Sequence, residues 1–116
     1  MKPHVRRAIA YIVGCVILKK QAPAIFDYSS SKHYNFSISI SNSGIAAYDY
    51  SQQCHISGGY SSLYHYGEGC HISISMNGDR FNGFDYGQQC HFSGYVNGNS
   101  ISVFDYGVGS YFNFSI

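Results

Sequence analysis

The sequence predicts an all-β fold: an antiparallel meander of five hairpin repeats of about 20 residues, about ten short strands, closing into a small barrel or a shallow flower-like ring. Three observations predict it. A motif recurs: "FDYSSSKHYNF" from Phe26, "YDYSQQCHI" from Tyr48, "YHYGEGCHI" from Tyr64, "FDYGQQCHF" from Phe84 and "FDYGVGSYFNF" from Phe104. The second half of each unit alternates strictly: Tyr34, Phe36, Ile38 and Ile40 share one face, and His33, Asn35, Ser37 and Ser39 the other. Turn residues then punctuate the units at intervals that keep the same face apolar throughout.

Residues 1–24 stand apart from the repeat domain, residues 25–116. "MKPHVRR" is basic, "AIAYIVGCVIL" is apolar, and "KKQAPA" follows. The apolar run is too short to span a bilayer as a helix, which needs about 20 residues. It is signal-like, with Ala22-Pro23-Ala24 shaped as a cleavage site and "IVGC" shaped as a lipoprotein box, although Lys19-Lys20 is foreign to such a region. The alternatives are a membrane anchor, or a β-strand or short helix covering the domain. No long stretch carries helical periodicity. The signal-like reading points to an extracellular or cell-envelope location, with the cytoplasm as the alternative.

Each repeat opens with an aromatic-acid-aromatic triplet and a tight turn. Gly67-Glu68 and Gly87-Gln88 suit turns with glycine first, which sets His65 opposite Cys70 and Asp85 opposite Cys90. Ser30-Ser31 and Val108-Gly109 as turns set Asp27 level with Tyr34 and Asp105 level with Phe112. Between units, Asn77-Gly78 and Asn97-Gly98 are hairpin turns that set Ile74 opposite Phe81, Phe92 opposite Val103 and Gly94 opposite Ile101. Gly59-Tyr60 sets Ile56 opposite Leu63. The turn at residues 41–44 is open by two residues. A slip of one residue would invert every face, so agreement of apolar with apolar at turn after turn supports the meander. The rival is a β-solenoid, by analogy of repeat length with curli-like fibre subunits. It would stack Asp27, Asp49, Asp85 and Asp105 at the spacing of adjacent strands, a costly arrangement of like charges.

Composition narrows function. Only 11% of residues are charged, 17% are aromatic with 12 Tyr and no Trp, and the formal charge is +1. Lys2, Arg6, Arg7, Lys19 and Lys20 hold most of the positive charge, so the repeats offer no basic surface to nucleic acid. With Cys15 in the N-terminal stretch, Cys54, Cys70 and Cys90 are an odd set and a poor disulfide framework.

Two belts follow from the alternation. On the apolar face run Asp27, Tyr34, Asp49, Cys54, His65, Cys70, Asp85, Cys90, Asp105 and Phe112. Cys54, His65 and Cys70 would be neighbours on three adjacent strands, with Asp49 and Asp85 beyond them. Two thiolates, an imidazole and a carboxylate would suit Zn(II). Against a metal stand the missing paired knuckles and the apolar residues at the equivalent positions Tyr34 and Phe112; the Asp residues suit turn amides. On the other face alternate Phe26, Asn35, Tyr48, His55, Tyr64, His71, Phe84, His91, Phe104 and Asn113, flanked by Tyr28, Tyr50, Tyr66, Tyr86 and Tyr106. Tyr and His combine an apolar body with a polar tip, as contact surfaces for sugars, peptides and proteins do. The inverted arrangement, polar inside and aliphatic toward lipid, would need strands of roughly 9–11 residues.

No nucleophile elbow, phosphate loop or dinucleotide fingerprint is present. The sequence therefore predicts a non-catalytic binding or structural module without a cofactor. Its binding residues would be Tyr48, His55, Tyr64, His71, Phe84 and His91, its partner a protein, a small ligand or a carbohydrate. One alternative is a self-assembling, fibre-type subunit built of homo-oligomers. The other is a small zinc protein centred on His65 with Cys54, Cys70, Asp49 and Asp85.

Overall fold

A computed structural model describes residues 1–116. One helix, α1 (Pro3–Leu18), precedes ten strands: β1 (Ala24–Asp27), β2 (Lys32–Ser41), β3 (Gly44–Asp49), β4 (Cys54–Gly58), β5 (Ser62–His65), β6 (Cys70–Asn77), β7 (Arg80–Asp85), β8 (Cys90–Asn97), β9 (Ser100–Asp105) and β10 (Ser110–Ser115). Every neighbouring pair is antiparallel, and β1 pairs with β10, so the meander closes into a barrel. It is the meander and not the solenoid. Closure gives each strand two partners and removes the edges that an open sheet would expose.

The aliphatic face points inward. Ile25, Phe36, Ile56, Ile72, Phe92 and Ile101 are fully buried. They pack on α1, which lies in the lumen and is buried on all sides from Val5 to Cys15. A helix that is apolar all round has no single-faced stripe, so periodicity could not reveal it. Local signals do fit its ends. Pro3 sits in the first turn, where a missing N–H costs nothing. At the other end Lys19 turns left-handed (φ 55°), and the N–H groups of Lys19 and Lys20 close onto the carbonyls of Val16 and Cys15. At about 1.5 Å per residue its 16 residues run about 24 Å, enough to thread a barrel of these strands. Residues 1–24, read above as signal-like, an anchor or a covering element, carry this helix, and it fills the core. Tyr11 stacks on Phe36 with ring centroids 4.5 Å apart, and its hydroxyl donates to the Ala22 carbonyl.

Within the repeats all five hairpins have the same four-residue loop, 28–31, 50–53, 66–69, 86–89 and 106–109. The fourth loop residue is left-handed each time: Ser31, Gln53, Gly69, Gln89 and Gly109 have φ between 53° and 80°. The predicted pairs His65–Cys70 and Asp85–Cys90 hold, and Asp49 pairs with Cys54. The outer hairpins differ from expectation by two residues: Asp27 pairs with Lys32 and Asp105 with Ser110. Their loops are no longer than the others; the extra residues are paired within β2 and β10 instead.

The turns between units are also displaced by two. Phe92 pairs with Asp105, Gly94 with Val103, Met76 with Phe81 and Gly58 with Leu63. Asn77 and Asn97 end their strands, and Gly78 and Gly98 begin the turns at φ 64° and 60°. Asp79 and Asn99 keep negative φ, so the turns have glycine first, the II′ form, where Asn-Gly signalled I′. An even displacement leaves every side chain on its predicted face.

Two glycines mark the closest approach of strands. A Cβ on Gly83 would lie 2.0 Å from the Ser73 carbonyl oxygen, and one on Gly94 would lie 1.9 Å from that of Ser102. Phe92 and Phe81 pair with them across β7 and β8 and cover the bare backbone from within.

Candidate functional site

Both predicted belts lie at the end of the barrel that carries the four-residue loops. The inner one is a rim of buried Asp27, Asp49, His65, Asp85 and Asp105 around the N-terminus of α1. Each Asp uses one oxygen to hold its loop: Oδ1 accepts the backbone N–H of Ser29, Ser51, Gly87 or Gly107 at 2.8–3.0 Å. In the third hairpin His65 does the same, Nδ1 accepting the N–H of Glu68 at 3.1 Å. The proton of the neutral ring is then on Nε2.

In Asp105 and Asp27 the second oxygen meets the helix. Asp105 Oδ2 receives the α-ammonium of Met1 at 2.8 Å and Arg6 at 3.1 Å, and Asp27 Oδ2 receives Arg7 at 3.4 Å. The two guanidinium groups lie 3.6 and 3.7 Å above the rings of Phe112 and Tyr34. Lys2 and His4 both reach Glu68, at 2.7 and 2.8 Å. Sequence reasoning missed this partnership. The cluster of cations before residue 8 and the ring of acids in the repeats were both visible, but nothing local says that one enters the other.

Burial alone would raise the Asp105 carboxyl; the Met1 ammonium, the Gly107 amide and Arg6 outweigh it and hold the group below the usual carboxylate range. His65 is pushed down by burial and by His4, against opposing pulls from Glu68, Asp49 and Asp85. On this side of the rim Asp49 Oδ2, His65 Nε2 and Asp85 Oδ2 are buried with no hydrogen-bond partner within the protein.

The displaced register changes the thiol cluster. His65 pairs with Ile56 on β4 and with Cys70 on β6, while Cys54 pairs with Asp49. Cys54, His65 and Cys70 are therefore not three abreast, as the sequence suggested. No three groups among His, Cys, Asp and Glu converge as metal ligands would. Each thiol packs instead against the next hairpin: Cys70 Sγ lies 3.9 Å from Asp85 Oδ1, and Cys90 Sγ 4.0 Å from Asp105 Oδ1. Burial, then the adjacent carboxylate, pushes the Cys54 and Cys70 thiols up and away from the thiolate that metal binding or nucleophilic attack requires.

The loops match these thiols one for one. Gly67, Gly87 and Gly107 occupy the second loop position where the preceding hairpin carries Cys54, Cys70 and Cys90. A Cβ there would meet the sulfur at 2.8, 2.7 and 3.3 Å. Where the preceding strand begins with Lys32 or Ser110, the same position is Ser51 or Ser29, whose hydroxyl bonds the loop Asp. The cysteines fill space between hairpins.

The outer belt is five copies of one aromatic cluster. Phe26, Tyr48, Tyr64, Phe84 and Phe104 each meet the loop tyrosine two residues on, edge to face at 4.7–4.9 Å. Each also meets His33, His55, His71, His91 or Tyr111 across its hairpin at 4.7–4.9 Å. The predicted binding residues are thus three neighbouring pairs, Tyr48–His55, Tyr64–His71 and Phe84–His91. Phe26 and Phe104 take His33 and Tyr111 as hairpin partners rather than Asn35 and Asn113, because the outer hairpins pair two residues differently. Tyr28, Tyr50, Tyr66, Tyr86 and Tyr106 are 55–60% exposed. They belong to no core, and Tyr50, Tyr86 and Tyr106 border hollows on the outer surface.

No family model matches the chain, and comparison with curated proteins and with solved structures likewise gives no match.

Proposed function

We propose that this protein is a non-catalytic binding module whose contact surface is the outer aromatic belt. The observation that carries the reading is the fivefold repetition of exposed tyrosines on a face that the core does not need. Large exposed aromatics arranged together mark contact sites more often than chance packing does. The inner rim supports the same view from the opposite direction. Its Asp residues are engaged by loop amides, and two of them by helix cations. The rim acts as the socket of α1.

A fibre-type subunit that grows by strand addition would need a free edge. All ten strands here are paired on both sides, so assembly of that kind would require the barrel to open. Export by cleavage after Ala24 would remove the helix that fills the lumen, so the reading retains residues 1–24 in the working protein.

The test replaces Tyr50, Tyr66, Tyr86 and Tyr106 by Ala together. The intact protein and the variant are passed over immobilised neutral polysaccharides, polyproline, duplex DNA and anionic vesicles. Retention of the intact protein on at least one uncharged polymer, lost in a variant of unchanged melting temperature, is the expected result. Retention on none of them, or retention indifferent to the substitutions, would refute the reading.

A further inference from the structure

The outer surface is grooved unevenly. Two hollows, each of about 360 Å³, lie side by side over β5 to β8. One is bounded by Ser62, His71, Ser73 and Tyr86. The other repeats it twenty residues on, with Asn82, His91, Ser93 and Tyr106, and it shares Ser73 with the first. They form one groove across two hairpins. The lining of the second includes Gly83, where β7 carries no side chain.

No Lys, Arg, Asp or Glu lines either hollow. Both carry a tyrosine ring, an imidazole and short hydroxyl or amide groups in the same order, and Phe84 and Phe92 also line the second. The Ser93 and Tyr106 hydroxyls are 3.3 Å apart, a ring tip and a side-chain hydroxyl at one spot. A flat apolar ring beside paired donors and acceptors matches a pyranose, which has a C–H face and a rim of hydroxyls. A neutral lining matches a neutral ligand and disfavours a phosphate backbone. The barrel has no free edge, so a peptide cannot add to it as a strand. Adjacent copies are two strands apart, roughly 9–10 Å at the usual strand spacing, within reach of one short chain of linked sugars.

Resting on the binding reading above, we propose that the groove over β5 to β8 holds a neutral oligosaccharide, with Tyr86 and Tyr106 as stacking platforms and His71, Ser73, His91 and Ser93 as hydrogen-bonding partners. Two linked sites make the tether between sugars raise the local concentration at the second site. A tetrasaccharide therefore binds more tightly than its monosaccharide.

The test is amide chemical-shift titration of the full chain with cellotetraose, chitotetraose, xylotetraose and maltotetraose, and with a polyproline decapeptide. The rival for an aromatic-lined groove is a proline-rich peptide. The expected result is saturable shifts for at least one tetrasaccharide, confined to residues around Tyr86 and Tyr106. Tyr86→Ala and Tyr106→Ala would each weaken it by up to roughly tenfold, the scale of one aromatic contact, at unchanged melting temperature. Shifts mapping elsewhere, or equal affinity for monosaccharide and tetrasaccharide, would overturn the proposal. A response of these residues to polyproline alone would also overturn it while leaving the belt as a binding surface. No response to any probe would count against both.

Discussion

The rim around the helix has two unlike sides. Toward hairpins 1 and 5, Asp27 and Asp105 hold Arg7, Arg6 and the Met1 ammonium, and Tyr34 and Phe112 lie under the guanidinium groups. Toward hairpins 2 to 4, thiols replace those two rings, and Asp49 Oδ2, His65 Nε2 and Asp85 Oδ2 have no partner within the protein. The five hairpins repeat one backbone plan, but the helix they enclose has no fivefold symmetry. Its cations can face only part of the ring. The substitutions that break the repeat sit where the helix differs: aromatics under its arginines, and His65 and Glu68 beside Lys2 and His4. A symmetric socket would admit the helix in five rotations. These departures select one.

The largest expected effect comes from making the same change on both sides. Asp105→Asn and Asp85→Asn each keep an oxygen for the loop amide. Asp105→Asn also leaves the Met1 ammonium and Arg6 buried without a counter-charge, at a cost of about 3–5 kcal/mol. Asp85→Asn removes a buried charge that no group contacts through Oδ2, and is expected to be neutral or stabilising. Urea unfolding measures both. Equal costs would mean that the two sides do not differ as the contacts imply.

Next in size is the match between thiols and loops. Gly87→Ser places a Cβ 2.7 Å from Cys70 Sγ, and overpacking of this kind costs about 1–3 kcal/mol. Ser is the residue at this position in hairpins 1 and 2, where no cysteine precedes it. Gly87→Ser with Cys70→Ala should therefore recover most of the loss, since the cavity and the added side chain offset one another. Additive costs in the double variant would show that the glycines are there for the loop and not for the thiol.

The meander, its faces and its two belts were legible because alternation and turn spacing are local and repeat. Pairing offsets were not. Asn-Gly reads equally as the two central turn residues or as the last strand residue and the first of the turn. The helix in the lumen was illegible for another reason. Residues 8–15 touch wall on every side, so Ala8, Ile9, Tyr11 and Ile12 show no polar face to set a period. The place of Cys54 abreast of His65 followed from the assumed offset and shifted with it, while the His65–Cys70 pair stands. The pairing of Arg6 and Arg7 with the acidic ring needed the helix in place first.

The sides should also part as acid is added. Burial and His4 lower the affinity of His65 for protons in the folded state. The unfolded chain then binds the extra proton first, so stability is full above the unfolded value, about 6.5, and falls as pH drops from there toward the folded one. Glu68, Asp49 and Asp85 oppose the shift without reversing it. Asp105, held low, keeps its contribution until far more acid pH, below the unfolded carboxylate value of about 3.9. Chemical denaturation across pH is expected to give two separate losses. His65→Asn, which can still accept the Glu68 N–H, should remove the first and leave the second; if the first loss persists unchanged, His65 is not its source.

The smallest effect on stability is expected outside the barrel. Tyr86 and Tyr106 are 57% and 58% exposed, and each meets its neighbouring aromatic only edge to face. Exposed substitutions away from caps and networks usually stay within about 0.5 kcal/mol, and an aromatic pair contributes ~0.2–1 kcal/mol across strands. Tyr86→Ala should therefore unfold at nearly the urea concentration of the parent, whereas Phe84→Ala, half-buried between Tyr86 and His91, should cost visibly more. The contrast separates the two ways an aromatic belt can arise. A belt kept for sheet stability would make the loop tyrosine matter as much as the strand aromatic beneath it. A belt kept for contact lets the exposed ring go at little structural cost and holds its value for whatever it touches.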